Sequence, residues 1–223
     1  MEGLPLLNYW KVAVENAITE TWKGYSRDQL LFLTENDLTC YLYNELRKAR
    51  QNQPYAVHSE VTHYANHENP RGYRFRDVSL LNPSKIDHNN IDLIFAEAGL
   101  DNQNQEIRHK GFRHIGEAIF MEIKFQRNAN ELIDAGDLIN LKTYHNDIVN
   151  TPKFAILIWA SKHDFTELNN PAAQMIIALN GFSNYERNPQ KMQNDQVFGF
   201  VFNNQEFFKI SWNGNEWVSN PFL

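Results

Sequence analysis

The stretch that decides the fold is AIFMEIKF, residues Ala118–Phe125. It is rich in β-branched and aromatic residues and therefore predicts a buried strand. A charged residue inside such a run is an exception that needs a reason. Strand alternation places Glu122 and Lys124 together on one face and their apolar neighbours on the other. The sequence thus predicts an apolar strand that projects a carboxylate and an ammonium group from the same face.

The run IDLIF, residues Ile91–Phe95, is the second clear strand, and it also contains one charged residue. Alternation separates Asp92 from its three apolar neighbours, so it projects from the opposite face. The two strands are expected to pair as a hairpin across a long basic connection. Two carboxylates and one lysine would then converge on one face of the sheet.

This set of side chains predicts a site for a hard divalent cation. Mg²⁺ takes one or two carboxylates, keeps several waters and accepts substrate phosphate oxygens. Asp92 and Glu122 would supply the carboxylates, and the backbone carbonyl of Ile123 would add a further oxygen. Lys124 would orient the attacking water or help to deprotonate it. Mg²⁺ is therefore the expected cofactor, with Mn²⁺ as a substitute.

Outside these strands the periodicity predicts a mixed α/β domain, with helices flanking a central mixed sheet. We expect one domain, with a core over about 34–160, an N-terminal helical extension over 1–33 and a C-terminal helix plus β-hairpin extension over 161–223. Helices are predicted over Leu6–Trp22, from the N-cap Thr34 with Asp37 at the capping-box position to before Pro54, over about 130–149 and over Pro171–Leu179. Strands are predicted over Tyr55–Tyr64, Tyr73–Leu81, Lys153–Ser161, Gln196–Phe202, Glu206–Trp212 and Asn215–Val218, with a hairpin turn at Asn213-Gly214.

Asp92 followed by Glu122-Ile-Lys124 resembles the signature of the PD-(D/E)XK, or restriction-endonuclease-like, nuclease superfamily. Asn90-Ile91 stands where that family has a proline before the first acid. The resemblance implies a core of a helix, three meandering strands, a helix and a further strand, which fits the order of elements predicted over Thr34–Ala160. It also implies Mg²⁺-dependent hydrolysis of phosphodiester bonds that leaves a 5′-phosphate.

Many members of that family add a glutamate from the first core helix, and two residues compete for this role here. At 100° per residue, Glu35 lies within about 20° of the apolar direction set by Leu42 and Leu46. Glu45 lies toward the edge of that stripe, so we select Glu35. Asp77 is the rival of Asp92 for the first acid, but IDLIF makes the better central strand.

Basic residues are concentrated around the predicted site, where phosphate contacts would be useful. The run from Arg108 to Arg127 contains five basic residues against two acids. In the family, a helix with an acid-leucine-basic-tyrosine pattern often follows the E-x-K strand, and Asp137, Leu141, Lys142 and Tyr144 resemble it. The expected substrate-binding residues are Arg76, Arg108, Lys110, Arg113, Arg127 and Lys142.

The whole chain limits which functions are possible. Its formal net charge is -6, which argues against coating nucleic acid through a general positive field. The longest apolar run, Phe154–Ala160, is too short to span a bilayer, so no membrane association is expected. The lone Cys40 excludes an internal disulfide framework and, with no signal peptide at the start, fits a cytoplasmic protein.

The sequence therefore predicts a metal-dependent nuclease that acts on nucleic acid, with DNA as the expected substrate. The alternative is a catalytically inactive nuclease-like fold that serves as a nucleic-acid-binding or protein-assembly module. The aromatic tail favours that alternative, because it would form either an extra sheet that closes the core or a homodimer or partner surface. It comprises Phe198, Phe200, Phe202, Phe207, Phe208, Trp212 and Trp217.

Overall fold

The structure, a computed structural model, describes residues 6–50, 55–64, 88–97, 118–129, 131, 154–166, 170–183 and 194–223. Within these ranges the chain forms three α-helices and seven β-strands. The helices are α1 (Leu6–Arg27), α2 (Glu35–Ala49) and α3 (Pro171–Ser183). The strands are β1 (Tyr55–Tyr64), β2 (His88–Glu97), β3 (Ala118–Gln126), β4 (Phe154–Ser161), β5 (Val197–Phe202), β6 (Phe207–Trp212) and β7 (Trp217–Pro221).

All seven strands belong to one mixed sheet, and their spatial order is their order along the chain. β1, β2 and β3 form an antiparallel meander, β3, β4 and β5 are parallel, and β5, β6 and β7 form a second antiparallel meander. The predicted mixed α/β class is confirmed, as is the predicted hairpin of β2 with β3. The C-terminal strands continue the central sheet and do not form a separate one.

The two faces of the sheet carry two different apolar layers. α1 and α2 cover the face that includes Leu93, Ile123 and Phe200. α3 packs on the other face, against residues that include Leu157 and Val201. β4 is buried along its whole length, as expected of a central strand with parallel neighbours on both sides. The sheet is therefore the middle layer of the described fold.

The start of α2 is fixed by the predicted capping box. The Thr34 side chain accepts a hydrogen bond from the Asp37 backbone N–H, and the Asp37 carboxylate accepts one from the Thr34 backbone N–H. These bonds satisfy two of the N–H groups that a helix start leaves without partners. Three leucines, Leu38, Leu42 and Leu46, then fall on one buried stripe of α2. The capping box thus makes Glu35 the first residue of the helix.

α1 continues beyond the predicted end at Trp22 and stops at Arg27. The added turn contains Tyr25, which is fully buried and stacks on Phe32 with ring centroids 5.1 Å apart. The predicted strand over Tyr73–Leu81 and the predicted helix over about 130–149 lie outside the described residues. No helix in the described part of the chain is both long and apolar enough to cross a membrane.

The aromatic C-terminal strands lie inside the fold. Phe198, Phe200, Phe202 and Phe207 are buried in the layer beneath α1 and α2. Phe207 packs edge-on against Phe222, with ring centroids 4.9 Å apart. Of the two interpretations of this tail, the structure supports an addition to the core, because these rings are withdrawn from solvent.

Candidate functional site

The candidate site lies where β2 and β3 stop pairing. Within the described residues, the pairing of β2 with β3 ends at Leu93 and Met121, the pair next to Asp92 and Glu122. Asp92 is the residue of β2 next to Leu93, just beyond this pair. Its carboxylate Oδ2 accepts a hydrogen bond of 2.6 Å from the backbone N–H of Ile123. Because the two strands separate here, the Ile123 amide donates to the Asp92 side chain and not to a backbone carbonyl of β2. This bond brings the first predicted acid to the backbone between Glu122 and Lys124.

Glu122 is one of the few charged residues buried in the described part of the sheet, with 2% of its surface exposed. It lies opposite Leu157 of β4 in the register, on the face that carries Phe120 and α3. A buried carboxylate is costly unless hydrogen bonds or a cation compensate its charge. The hydrogen bond from the Ile123 N–H brings Asp92 to the backbone next to Glu122, and carboxylate oxygens are ligands that suit a hard cation.

Lys124 forms an ion pair with Glu35, with the Nζ and Oε1 atoms 3.6 Å apart. The two side chains are 28% and 36% exposed, so the pair lies at the opening of the site. The leucines of α2 pack on the face of the sheet opposite to that of Glu122. The ion pair connects Glu35, the first residue of α2, to Lys124 of β3. The geometry favours Glu35 over Glu45, because Glu45 pairs with Lys48 at 2.6 Å within α2.

The residues present suit Mg²⁺ or Mn²⁺ with a largely hydrated coordination shell. Among the described residues, no group of three or more His, Cys, Asp or Glu side chains is gathered as a metal cage. Mg²⁺ does not need such a cage, since it retains waters and commonly binds one or two carboxylates. The Asp92 carboxylate can accept the Ile123 amide and still bind a cation, because its oxygens have about four lone-pair sites. The donor set therefore fits the predicted ion.

Arg127 follows β3 directly, in a turn held by hydrogen bonds. Its backbone N–H donates to the Glu131 carboxylate at 3.0 Å, and its carbonyl accepts from His163 Nε2 at 2.8 Å. The pKa of the Asp37 carboxyl is lowered, chiefly by the hydrogen bond from Thr34 and in smaller part by the charge of Arg127. The Arg127 side chain itself is exposed.

A buried polar network at the carboxyl ends of the parallel strands was not predicted from the sequence. Ser161 Oγ donates to Gln126 Oε1 at 2.6 Å, and Gln126 Nε2 donates to the Glu131 carbonyl at 2.8 Å. Tyr25 Oη reaches the Ser161 carbonyl from the other face at 3.3 Å. The available signal was the alternation itself, since Gln126 follows Glu122 and Lys124 at the same spacing of two. This network fixes the end of β3 beside the site.

Most of the remaining predicted site residues lie outside the part of the chain that the structure describes. Asp77 and five of the expected phosphate-binding residues, Arg76, Arg108, Lys110, Arg113 and Lys142, lie outside the described residues. In the structure Lys124 pairs with Glu35, Asp92 accepts a hydrogen bond from the Ile123 N–H, and Glu122 and Lys124 flank Ile123 on β3. Arg127 is the one expected substrate-binding residue in the described part of the chain.

No protein-family model, curated protein or solved structure matches the chain. Two carboxylates and one lysine at a break in a strand pair offer ligands that suit a cation and a positive group that suits an anion. Phosphate is the anion that such a combination commonly binds.

Proposed function

We propose that the chain is a metal-dependent nuclease that hydrolyses phosphodiester bonds, with DNA as its substrate. The observation that carries the proposal is the 2.6 Å bond from the Ile123 N–H to Asp92, because it brings the first predicted acid to the backbone between Glu122 and Lys124. The order of helix α2, three meandering strands and a further strand parallel to β3 adds support. This order agrees with the first helix and the strands of the core implied by the resemblance to the PD-(D/E)XK family.

In this proposal Asp92 and Glu122 hold Mg²⁺, with the Ile123 carbonyl as a further oxygen donor. When bound, the cation would offset charge on the phosphate and make a water molecule a stronger nucleophile. The water oxygen forms a new bond to phosphorus while the bond from phosphorus to the 3′ oxygen breaks. The attacking water releases one proton to solvent and the 3′ oxygen receives one from solvent, so the products are a 5′-phosphate and a 3′-hydroxyl.

Lys124 acts through its charge. A lysine ammonium has only hydrogen-bond donors, and here it forms an ion pair with a carboxylate 3.6 Å away, so orientation of the water and stabilisation of the transition state fit better than proton abstraction. Glu35 holds the ammonium group at the opening of the site, and Arg127 adds a second positive group beside it. Glu35, Asp92, Glu122 and Lys124 are thus the proposed catalytic residues.

The test is cleavage of linear and plasmid DNA by the purified protein with Mg²⁺, and with the chelator EDTA in its place. We expect cleavage with Mg²⁺ only, and a loss of at least 100-fold in Lys124→Ala, in the range expected for removing a preorganised charged group. Lys48→Ala is the matched control, because Lys48 also forms an ion pair with a glutamate of α2. It should retain the wild-type rate.

The two variants also separate chemistry from stability. Both side chains are part of partly exposed ion pairs, whose removal costs about 0–1 kcal/mol. Circular dichroism should therefore show both variants folded. Cleavage by Lys124→Ala at the wild-type rate would overturn the assignment, as would cleavage by wild type in EDTA.

A further inference from the structure

Trp159 contains a buried hydrogen-bond donor that the fold does not use. The residue is 2% exposed, and its indole Nε1 has no hydrogen-bond partner among the described residues. A buried unpaired donor lowers the stability of the folded state. Such groups are rare in folded proteins, and each needs an explanation. The donor is therefore a candidate for a partner that arrives with a ligand.

The position of Trp159 connects this donor to the candidate site. It is the register partner of Lys124 on the adjacent parallel strand. Both side chains project from the face that carries Phe120 and α3, and neighbouring strands are about 4.8 Å apart. The two residues are thus neighbours in the sheet near the carboxyl ends of β3 and β4, where ligands bind in open α/β sheets.

The donors on this face suit an anion with several oxygens. Lys124 supplies an ammonium group, and Trp159 supplies an N–H that can only donate. Lys124 lies on the strand next to that of Trp159, and its side chain is 28% exposed to solvent. A phosphate has several acceptor oxygens, so one oxygen can bind the ammonium while another accepts the indole N–H.

We propose that Trp159 is a substrate-binding residue, whose indole N–H donates a hydrogen bond to an oxygen of the phosphate that Lys124 binds. This inference rests on the proposed nuclease function and deepens it. Trp22 offers a comparison, because its Nε1 already donates to the Asn203 carbonyl at 3.0 Å. Trp22 therefore has no donor to offer to a substrate.

The direct test is the ¹H–¹⁵N spectrum of the indole groups during titration with a DNA oligonucleotide that has a hydrolysis-resistant phosphorothioate backbone, in the presence of Mg²⁺. The chain has 5 tryptophans, and the signal missing from Trp159→Phe identifies the residue. Formation of the bond should move the Trp159 proton signal downfield, while the Trp22 signal keeps its position. Should Trp159→Phe fail to fold, the signal is assigned by elimination with variants of the other tryptophans.

Binding of the same oligonucleotide, followed by fluorescence anisotropy, gives the functional readout. Trp159→Phe should raise the Kd roughly tenfold, since hydrogen bonds to charged groups are the stronger ones. Trp22→Phe, which also loses an indole from the fold, should bind as wild type does. An equal loss in the two variants would point to general loosening and would overturn the inference.

The outcomes separate the inference from the function on which it rests. DNA cleavage and binding with an unmoved Trp159 signal would overturn the role of Trp159 and leave the nuclease proposal standing. Wild-type protein that neither binds nor cleaves DNA would overturn both. A downfield Trp159 signal together with weaker binding by Trp159→Phe would support the inference.

Discussion

Tyr25 connects the buried core to Ser161, the last residue of β4. Its ring is fully buried, and its hydroxyl donates to the Ser161 carbonyl. Ser161 in turn bonds the Gln126 side chain at the end of β3. The Tyr25 hydroxyl, which lies on the α1 face of the sheet, thus supports a polar network whose side chains lie on the opposite face.

Tyr25 should make the protein sensitive to alkaline pH. Burial raises the pKa of its hydroxyl to about 12, against about 10 in the unfolded chain. Because the folded state disfavours the phenolate, its contribution to stability is fully present below pH 10 and is lost as the pH rises toward 12. Urea unfolding at pH 8, 10 and 11 should show a decline in wild type that is smaller in Tyr25→Phe.

The control for this prediction is Tyr43→Phe, which changes a partly exposed tyrosine of α2. It should keep the alkaline decline of wild type. The prediction would be wrong if Tyr25→Phe lost stability between pH 8 and 11 as steeply as wild type does.

At the scale of elements, α2 matters because its first residue is Glu35. The capping box fixes where the helix begins and so holds Glu35 in reach of Lys124. Thr34→Ala should lower the free energy of unfolding by about 1 kcal/mol, the usual cost of losing such a cap. It should also reduce DNA cleavage, since fraying of the first turn releases Glu35 from the ion pair. Thr34→Ser preserves the acceptor oxygen and should retain both properties.

Urea unfolding and cleavage rates, measured on the same preparations, check this prediction. The stability loss tests the cap alone. Full cleavage activity in a destabilised Thr34→Ala would show that the position of Glu35 is unimportant for the reaction. That result would remove Glu35 from the proposed catalytic residues while leaving Lys124 in place.

The elements show what could be predicted from the sequence. Alternation identified β2 and β3 and predicted that Met121, Ile123 and Phe125 share a buried face, because the side-chain period of a strand is fixed. The N-cap at Thr34 was predicted because capping depends on residues only three positions apart. Local rules of this kind describe single elements well.

Relations between distant residues could not be predicted in the same way. The bond between Asp92 and Ile123 joins positions 31 apart in the chain, and it depends on where β2 and β3 stop pairing. Alternation gives the face of a residue but leaves the length of pairing and the strand order open. For the same reason, the partnership of Ser161 with Gln126 and the entry of β5, β6 and β7 into the central sheet emerged only from the fold.

At the scale of the whole molecule, the net charge of -6 opposes the binding of DNA. Each phosphate contact by Lys or Arg releases counterions, so affinity should fall steeply with salt, with a slope set by the number of contacts. In the proposed site the acids Asp92 and Glu122 repel phosphate unless a cation offsets their charge. DNA binding should therefore be weak and should depend on divalent metal.

Fluorescence anisotropy with a labelled phosphorothioate oligonucleotide, from about 50 to 200 mM salt with Mg²⁺ or EDTA, measures both dependences. We expect binding that weakens with salt and that Mg²⁺ strengthens. Asp92→Asn should remove most of the strengthening, since the amide can still accept the Ile123 N–H but no longer attracts a cation. Asp164→Asn, a change at an exposed acid, is the matched control. Tight binding in EDTA at physiological salt would contradict a site whose charge balance requires the metal.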